Sequence, residues 1–159
     1  HDPLTGALNR KGLDEAMERE IARAFRLDTP LCVALLDVDN FKAINDRLGH
    51  AAGDEALMHL VRVTREVMRP QDQLARHGGE EFVLILPNTQ LADGVKAMER
   101  LQRELTKRYF LKEQERLLIT FSAGVAQVEG KNGSADAIRR ADEGMYLAKR
   151  SGKNRVVAA

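Results

Sequence analysis

Apolar residues recur at every fourth position early in the chain. Leu13, Met17, Ile21 and Phe25 fall on one side of a predicted helix that Asn9 caps, downstream of Pro3 and Gly6. Pro30 ends the connection that follows. Leu31-Cys32-Val33-Ala34-Leu35-Leu36 then has the length and continuity of a buried strand, with the charged exit Asp37-Val38-Asp39. Phe41 to Leu48 reads as a short helical turn closed by Gly49. A longer helix is predicted from about Asp54, with Leu57, Leu60 or Val61, Thr64 and Met68 on its buried side and Pro70 as its stop. Gln73 to His77 and Glu81 to Leu86 flank Gly78-Gly79, a hairpin signal. Leu91, Val95, Met98, Leu101 and Leu105 mark the next helix. Leu117 to Ala126 reads as a strand, and Ile138, Ala141, Met145 and Ala148 as a last helix closed by Gly152. Arg155 to Val157 adds an edge strand. This order predicts an α+β fold: a single central, mostly antiparallel sheet of about five strands, flanked by helices.

Length fits this picture. The chain has 159 residues, 43% of them hydrophobic and 31% charged, with no internal repeat. One domain over residues 1–159 is expected, with a core that needs no disulfide or structural metal. The net charge of +1 gives no basic field of the kind that marks nucleic-acid or anionic-membrane binders. The single cysteine, Cys32, lies inside an apolar run and reads as a buried, inert thiol. No stretch approaches the ~20 apolar residues of a membrane-spanning helix, and no signal-peptide pattern opens the chain, so a cytoplasmic setting without membrane contact by this segment is expected.

Three places carry candidate chemistry. Asp37 and Asp39, two apart at a strand exit, project to one side; such a pair either holds Mg²⁺ or begins a loop and caps the next helix. The acids of Gly78-Gly79-Glu80-Glu81 repel one another unless a cation sits near them, and the glycines let a ligand approach the backbone; a solvated turn is the plainer alternative. Asn45, Asp46, His50 and Asp54 are spaced by small residues. A carboxylate accepting from guanine N1–H and N2–H together with an amide on the purine edge would recognise that base, while Asp54 would equally serve as a helix cap.

Taken together, these segments resemble the GGDEF domain of diguanylate cyclases, in its GGEEF variant. The signature is Gly78-Gly79-Glu80-Glu81-Phe82, preceded by Arg76-His77 where the family usually has Arg and an aromatic residue. Asp2-Pro3-Leu4-Thr5-Gly6-Ala7-Leu8-Asn9-Arg10 resembles the family's opening. Asp37-Val38-Asp39-Asn40-Phe41-Lys42-Ala43-Ile44-Asn45-Asp46 resembles its D-x-D-x-F-K-x-I-N-D segment, continuing into Gly49-His50 and Gly53-Asp54. Ser122 to Ala126, and Ala141-Asp142 through Met145-Tyr146 to Lys149, match later segments. The resemblance runs the whole chain in order.

It implies the fold of nucleotidyl cyclases and polymerase palms, and the condensation of two GTP into cyclic di-GMP with release of pyrophosphate. Asp37, Glu80 and the carbonyl of Val38 would hold Mg²⁺, with Mn²⁺ as a substitute. Glu81 would bind a second metal or help deprotonate the attacking 3′-hydroxyl. Asn45 and Asp54 would bind guanine, and backbone N–H groups from Asn40 through Phe41 to Lys42 would cradle phosphate. Lys42, Lys149 and Lys153 would neutralise the triphosphate. Lys153 stands where the family often has Arg, which keeps the charge and loses the bidentate fork. The Arg and Lys of the stretch from Arg103 to Lys112 read as a solvated face, and His59 and His77 as packing or surface residues.

One domain offers one nucleotide site, so a second copy of the domain, facing the first antiparallel, is the implied partner. Non-catalytic receptors of this fold usually have a decayed signature, whereas this one is intact. Arg69-Pro70-Gln71-Asp72 sits shortly before the signature, in the register of the family's product-inhibition site, and Arg100 resembles a further arginine used there; cyclic di-GMP would be both product and inhibitor. Arg139-Arg140-Ala141-Asp142 repeats the four-residue pattern but inside a predicted helix. The resemblance also implies a sensory or receiver domain upstream, making this chain the catalytic part of a longer protein.

Overall fold

The apolar run at Leu31 becomes β1 (Leu31–Val38), the middle strand of the sheet, and it is apolar from Leu31 to Leu36 because both of its faces are covered there. In the computed structural model, which describes residues 1–159, α1 (Arg10–Leu27) precedes it. After it come α2 (Phe41–Leu48), α3 (His50–Val67), β2 (Gln73–Gly78), β3 (Glu81–Pro87) and α4 (Leu91–Lys107). The chain ends through β4 (Phe110–Lys112), β5 (Glu115–Leu117), β6 (Phe121–Gln127), α5 (Ser134–Arg150) and β7 (Arg155–Ala158). Five strands form one sheet in the order β2-β3-β1-β6-β7, antiparallel at every junction except β6–β7. The predicted α+β architecture is the observed one, and no helix is long and apolar enough to cross a membrane.

The period of two along β1 sorts its side chains between two cores. Cys32, Ala34 and Leu36 pack with Phe82, Leu84, Phe121 and the inner faces of α3 and α4. Leu31, Val33 and Leu35 pack with Val83, Ile85 and the inner faces of α1 and α5. Cys32 is fully buried, its thiol pushed up to about 12 by burial, and it donates to the Thr89 carbonyl at 3.2 Å.

Four features differ from the sequence reading. Phe25 is 63% exposed, since a spacing of four drifts by roughly 40° per step around a 3.6-residue helix and three such steps carry it off the buried side. Helix α3 begins at His50, not Asp54: Gly49, at φ 92°, breaks the chain between α2 and α3, and Asp54 lies inside the helix and caps nothing. The expected strand from Leu117 to Ala126 is two strands. Leu117 closes a separate two-stranded sheet with β4, and β6 starts at Phe121. Within the stretch read as solvated, Arg108 is ion-paired to Glu66 and Glu104, and Lys112 to Glu55 at 3.1 Å.

Two contacts place the last helix. A Cβ on Gly124 of β6 would lie 1.9 Å from the Ala141 carbonyl oxygen and 2.5 Å from the Met145 nitrogen, so no side chain fits between β6 and α5. Gly144 of α5 meets Gly124 from the other side, its own would-be Cβ 3.1 Å from the Gly124 Cα. This close approach fixes where the C-terminal end of α5 arrives at the sheet.

His59 pins the small β4–β5 hairpin to α3. It is buried, its ring lies 5.2 Å from that of Phe110, and its Nε2–H donates to the Arg108 carbonyl at 3.2 Å. Burial lowers its pKa from the ordinary 6.5, and the carbonyl contact only partly offsets this. A histidine depressed in the folded state contributes stability above its unfolded value and loses it as pH falls below. The urea midpoint is therefore expected to drop between pH 7.5 and 5.5 by more in the wild type than in His59→Phe. Equal drops would remove His59 from the acid response.

Candidate active site

The sheet ends in an electrostatic conflict. Asp37 is register partner to Glu81 on one side and to Ser122 on the other, so two carboxylates share a face directly across a strand pair, an arrangement that destabilises a sheet. Gly78 pairs with Glu81, which leaves Gly79 and Glu80 at the hairpin tip. The tip is thus one residue later than the Gly-Gly pair suggests, and Gly79 adopts φ 51°, in the left-handed region. The Val38 N–H donates to the Glu80 carbonyl at 3.2 Å and ties the tip to the end of β1. Arg76 donates to the Gly79 carbonyl at 2.9 Å and Arg10 to the His77 carbonyl at 2.7 Å, so the N-terminal segment braces the tip. Burial pushes the Asp37 pKa up; Lys149 pulls it back, and the charges of Glu80 and Glu81 push it up further.

Lys149, in the last turn of α5, answers that conflict. Its Nζ stands 2.9 Å from Asp37 Oδ1 and 3.4 Å from Asp39 Oδ1. Burial alone would lower the ammonium pKa; the contacts with Asp37 and Asp39 outweigh it and hold the group above the usual lysine value.

Asp39 is not the second member of a metal-facing pair, since the strand has already ended and its carboxylate turns inward. That carboxylate, 1% exposed, accepts from Thr120 Oγ1 at 2.7 Å, Ser122 Oγ at 2.6 Å, the Asn154 N–H at 2.9 Å and Lys149. Its own N–H donates to the Thr120 carbonyl. One carboxylate thus joins β1, the start of β6, the end of α5 and the loop beyond it.

Next to it, α2 starts at Asn40, which sits at φ 57° and offers no side-chain cap, so the opening N–H groups of the helix, those of Phe41 and Lys42 among them, have no side-chain partner. Lys153, at φ 65°, donates to Asn40 Oδ1 at 2.7 Å. Phe41, Asn45 and Gly53 meet where α2 packs on α3: a Cβ on Gly53 would fall 1.9 Å from Asn45 Oδ1 and 3.1 Å from the tip of Phe41. Asn45 Oδ1 is buried without a hydrogen-bond partner, and Asp54 follows Gly53 on the exposed side of α3.

The arginine site lies at the other end of β3. Arg69 donates to Asp72 at 2.8 Å, to the Pro87 carbonyl at 2.7 Å and to Thr89 Oγ1 at 2.8 Å, while Arg100 donates to the Val67 carbonyl at 2.9 Å. Arg69, Asp72 and Arg100 line one cavity of about 480 Å³, joined by Lys96 and Arg103, which sequence reasoning missed. Arg103 had read as surface charge, and only the helical projection of α4 places it here.

No three His, Cys, Asp or Glu side chains stand close enough together to hold a metal. The donor chemistry nevertheless suits a hard divalent cation: Asp37 and Glu81 are cross-strand partners, Glu80 stands at the adjoining tip, and a lysine ammonium already supplies positive charge there.

A palm-type sheet with acids at its end beside a helix start is the scaffold of nucleotidyl-transfer domains. The chain belongs to the GGDEF family: residues 1–155 match the family model for the diguanylate cyclase GGDEF domain. It is 44% identical to the diguanylate cyclase DgcP of Pseudomonas aeruginosa, aligned over 99% of this chain and 24% of that protein. It is 39% identical to the response regulator PleD of Caulobacter vibrioides, over 98% of this chain and 35% of PleD. The chain therefore spans only a quarter to a third of these relatives. Among solved structures, the GGDEF domain of DgcB from Caulobacter crescentus in complex with c-di-GMP superposes with a TM-score of 0.92 at 36% identity, covering 99% of this chain and 91% of that one. The diguanylate cyclase SiaD of Pseudomonas aeruginosa, in complex with its activator SiaC, gives 0.95 at 37% identity, over 100% of this chain and 61% of that one.

The hub predicts a contrast between neighbouring acids. Asp39→Ala strands buried donors and removes a counter-charge of Lys149, and is expected to cost about 3–5 kcal/mol. Asp37→Ala relieves a like-charge pair and is expected to stay within about 1 kcal/mol of wild type. Denaturant unfolding without metal checks both; equal losses would show that Asp39 is no anchor.

Proposed function

We propose that this domain condenses two molecules of GTP into cyclic di-GMP and two pyrophosphates as a pair of facing copies, each 3′-hydroxyl displacing pyrophosphate from the opposite nucleotide. The observation that carries the reading is the opposed Asp37–Glu81 pair with Glu80 at the adjoining tip, set beside the uncapped start of α2. Asp37, Glu80 and the Val38 carbonyl would hold Mg²⁺ or Mn²⁺ in this reading. When bound, the cation neutralises charge on the α-phosphate and the leaving pyrophosphate. The chain's own groups do the rest. N–H groups from Asn40 to Lys42 orient the phosphates, as helix starts do, and Lys42, Lys149 and Lys153 balance their charge.

Guanine fits between α2 and α3. In this reading the Asn45 amide meets the purine edge, and Asp54, exposed on α3, accepts from N1–H and N2–H. Adenine presents an acceptor at N1 and would leave Asp54 unpaired. Glu81 takes the proton of the 3′-hydroxyl that attacks the α-phosphorus of the nucleotide held by the facing copy. Each copy supplies one GTP, because each has one such site.

Incubation with GTP and Mg²⁺, followed by chromatography, is expected to yield cyclic di-GMP and pyrophosphate. Glu80→Ala and Asp37→Ala are each expected to lower the rate more than about a hundredfold, since even outer partners of a metal site are worth about 10–100-fold. Near-wild-type turnover by either variant would sink the assignment.

The arginine cavity is read as a product-inhibition site for cyclic di-GMP. Arg69 and Arg100 offer planar donors for phosphate and faces for guanine, and Lys96 and Arg103 add charge. Because Arg69 also ties Asp72 and Pro87 together, its guanidinium is already held in place. Arg69→Ala is expected to keep turnover while raising the product concentration for half-inhibition at least about tenfold, equivalent to ~1.4 kcal/mol. Unchanged inhibition would reduce Arg69 to a helix terminus.

A further inference from the structure

We infer that Lys149 is a built-in counter-ion of the metal site, holding Asp37 until a divalent cation displaces it and being retained meanwhile by Asp39. The inference rests on the reading of Asp37 as a metal ligand. Its own ground is the position of Lys149 Nζ, which touches Asp37 more closely than Asp39, at 2.9 Å against 3.4 Å. The half-buried ammonium thus sits on the same carboxylate that a cation would use.

The two carboxylates differ in what else they have. Asp39 is saturated by Thr120, Ser122 and the Asn154 N–H, all at 2.9 Å or less. Asp37 has no such set: its cross-strand partners are Glu81 and Ser122, and the Ser122 hydroxyl is committed to Asp39. An ammonium leaving Asp37 therefore loses a contact at the carboxylate that most lacks cations, and a dication arriving there replaces that loss with a larger charge. Asp39 supplies the second attachment, so Lys149 need not leave the site. Freed from Asp37, it has three N–H donors to turn toward an incoming anion. The close packing of Gly124 on Gly144 holds α5 against β6, so displacement moves the long lysine side chain and not the helix.

This arrangement couples the two ligands of the site. A cation bound first releases Lys149 for a polyphosphate, and a polyphosphate drawing Lys149 away opens Asp37 to the cation. Each raises the affinity for the other by the same factor. In the metal-free, nucleotide-free domain the ammonium also offsets part of the Asp37–Glu81 repulsion at the end of the ladder.

Mn²⁺ titration of the 159-residue chain without nucleotide, read by electron paramagnetic resonance, tests the inference. Lys149→Met is expected to bind Mn²⁺ about tenfold more tightly than wild type, the low end of the effect of an adjacent cation on a carboxylate's proton affinity. Lys149→Arg, which keeps the charge, is expected to resemble wild type. The gain is expected to vanish in the Asp37→Asn/Lys149→Met double variant, and added Mn²⁺ should raise the melting temperature of Lys149→Met more than that of wild type. If Lys149→Met does not fold, Lys149→Gln carries the same expectation. Mn²⁺ binding that depends on Asp37 but is unchanged or weaker in the neutral variants overturns the counter-ion role alone. Absence of Asp37-dependent binding in every variant overturns both this role and the metal reading beneath it.

Discussion

The buried Asp39 carboxylate is the constraint on which this end of the molecule depends. Its charge lies 1% exposed in a domain with a net charge of only +1, and it is tolerated because four donors from three parts of the chain converge on it. Those donors are not local: Thr120 and Ser122 come from the start of β6, and Lys149 and Asn154 from the end of α5 and the turn after it. The bonds therefore force these segments to a common point, the exit of β1, where Asp37 stands two residues earlier. The same point collects left-handed backbone at Asn40, Lys153 and Asn154. For non-glycine residues such conformations persist where the surroundings over-determine them, as the bonds from Asn154 to Asp39 and from Lys153 to Asn40 do here.

Small residues do the complementary work of letting elements approach. Gly124 against Gly144 brings α5 onto β6, and Gly53 against Asn45 and Phe41 brings α3 onto α2. Any side chain at Gly124 would meet backbone, which cannot give way by a rotamer change. Any side chain at Gly53 would meet the Asn45 amide. In the first case the cost is misplacement of Lys149; in the second it is displacement of the Asn45 side chain that the guanine reading uses. The packing of the fold and the chemistry of the site are thus set by the same contacts.

Most of the fold was legible in the sequence because its signals are local: periodicity gave the five main helices and the sheet strands, and Pro30, Gly49 and Pro70 gave the breaks. The errors fall where local pattern has no information. Leu117 to Ala126 is apolar enough to be one strand, and it divides because Glu115–Leu117 pairs with β4 while Phe121 onward pairs with β1. Asp37 and Asp39 look equivalent in a strand, and only the tertiary donors around Asp39 separate an open carboxylate from an anchor. Asp54 reads as a cap by residue type, yet small Ala51, Ala52 and Gly53 let the helix begin earlier. The hairpin tip moved by one because register, not the glycine pair, decides which residues remain unpaired. The candidate site was legible chiefly through the family resemblance.

The acid cluster and the arginine cavity occupy opposite ends of one strand. β3 begins at Glu81, across from Asp37, and ends at Pro87, whose carbonyl accepts from Arg69. At ~3.4 Å per residue, the seven residues of β3 put the two about 20 Å apart. A ligand filling the cavity therefore cannot touch a nucleotide at the acids. Nor does β3 make a ready lever: Phe82 to Leu86 are buried, and β1 and β2 lock the strand on both sides. On that account the rigidity of the sheet, which keeps Asp37, Glu81 and Lys149 in register, is also what keeps the two ends chemically separate.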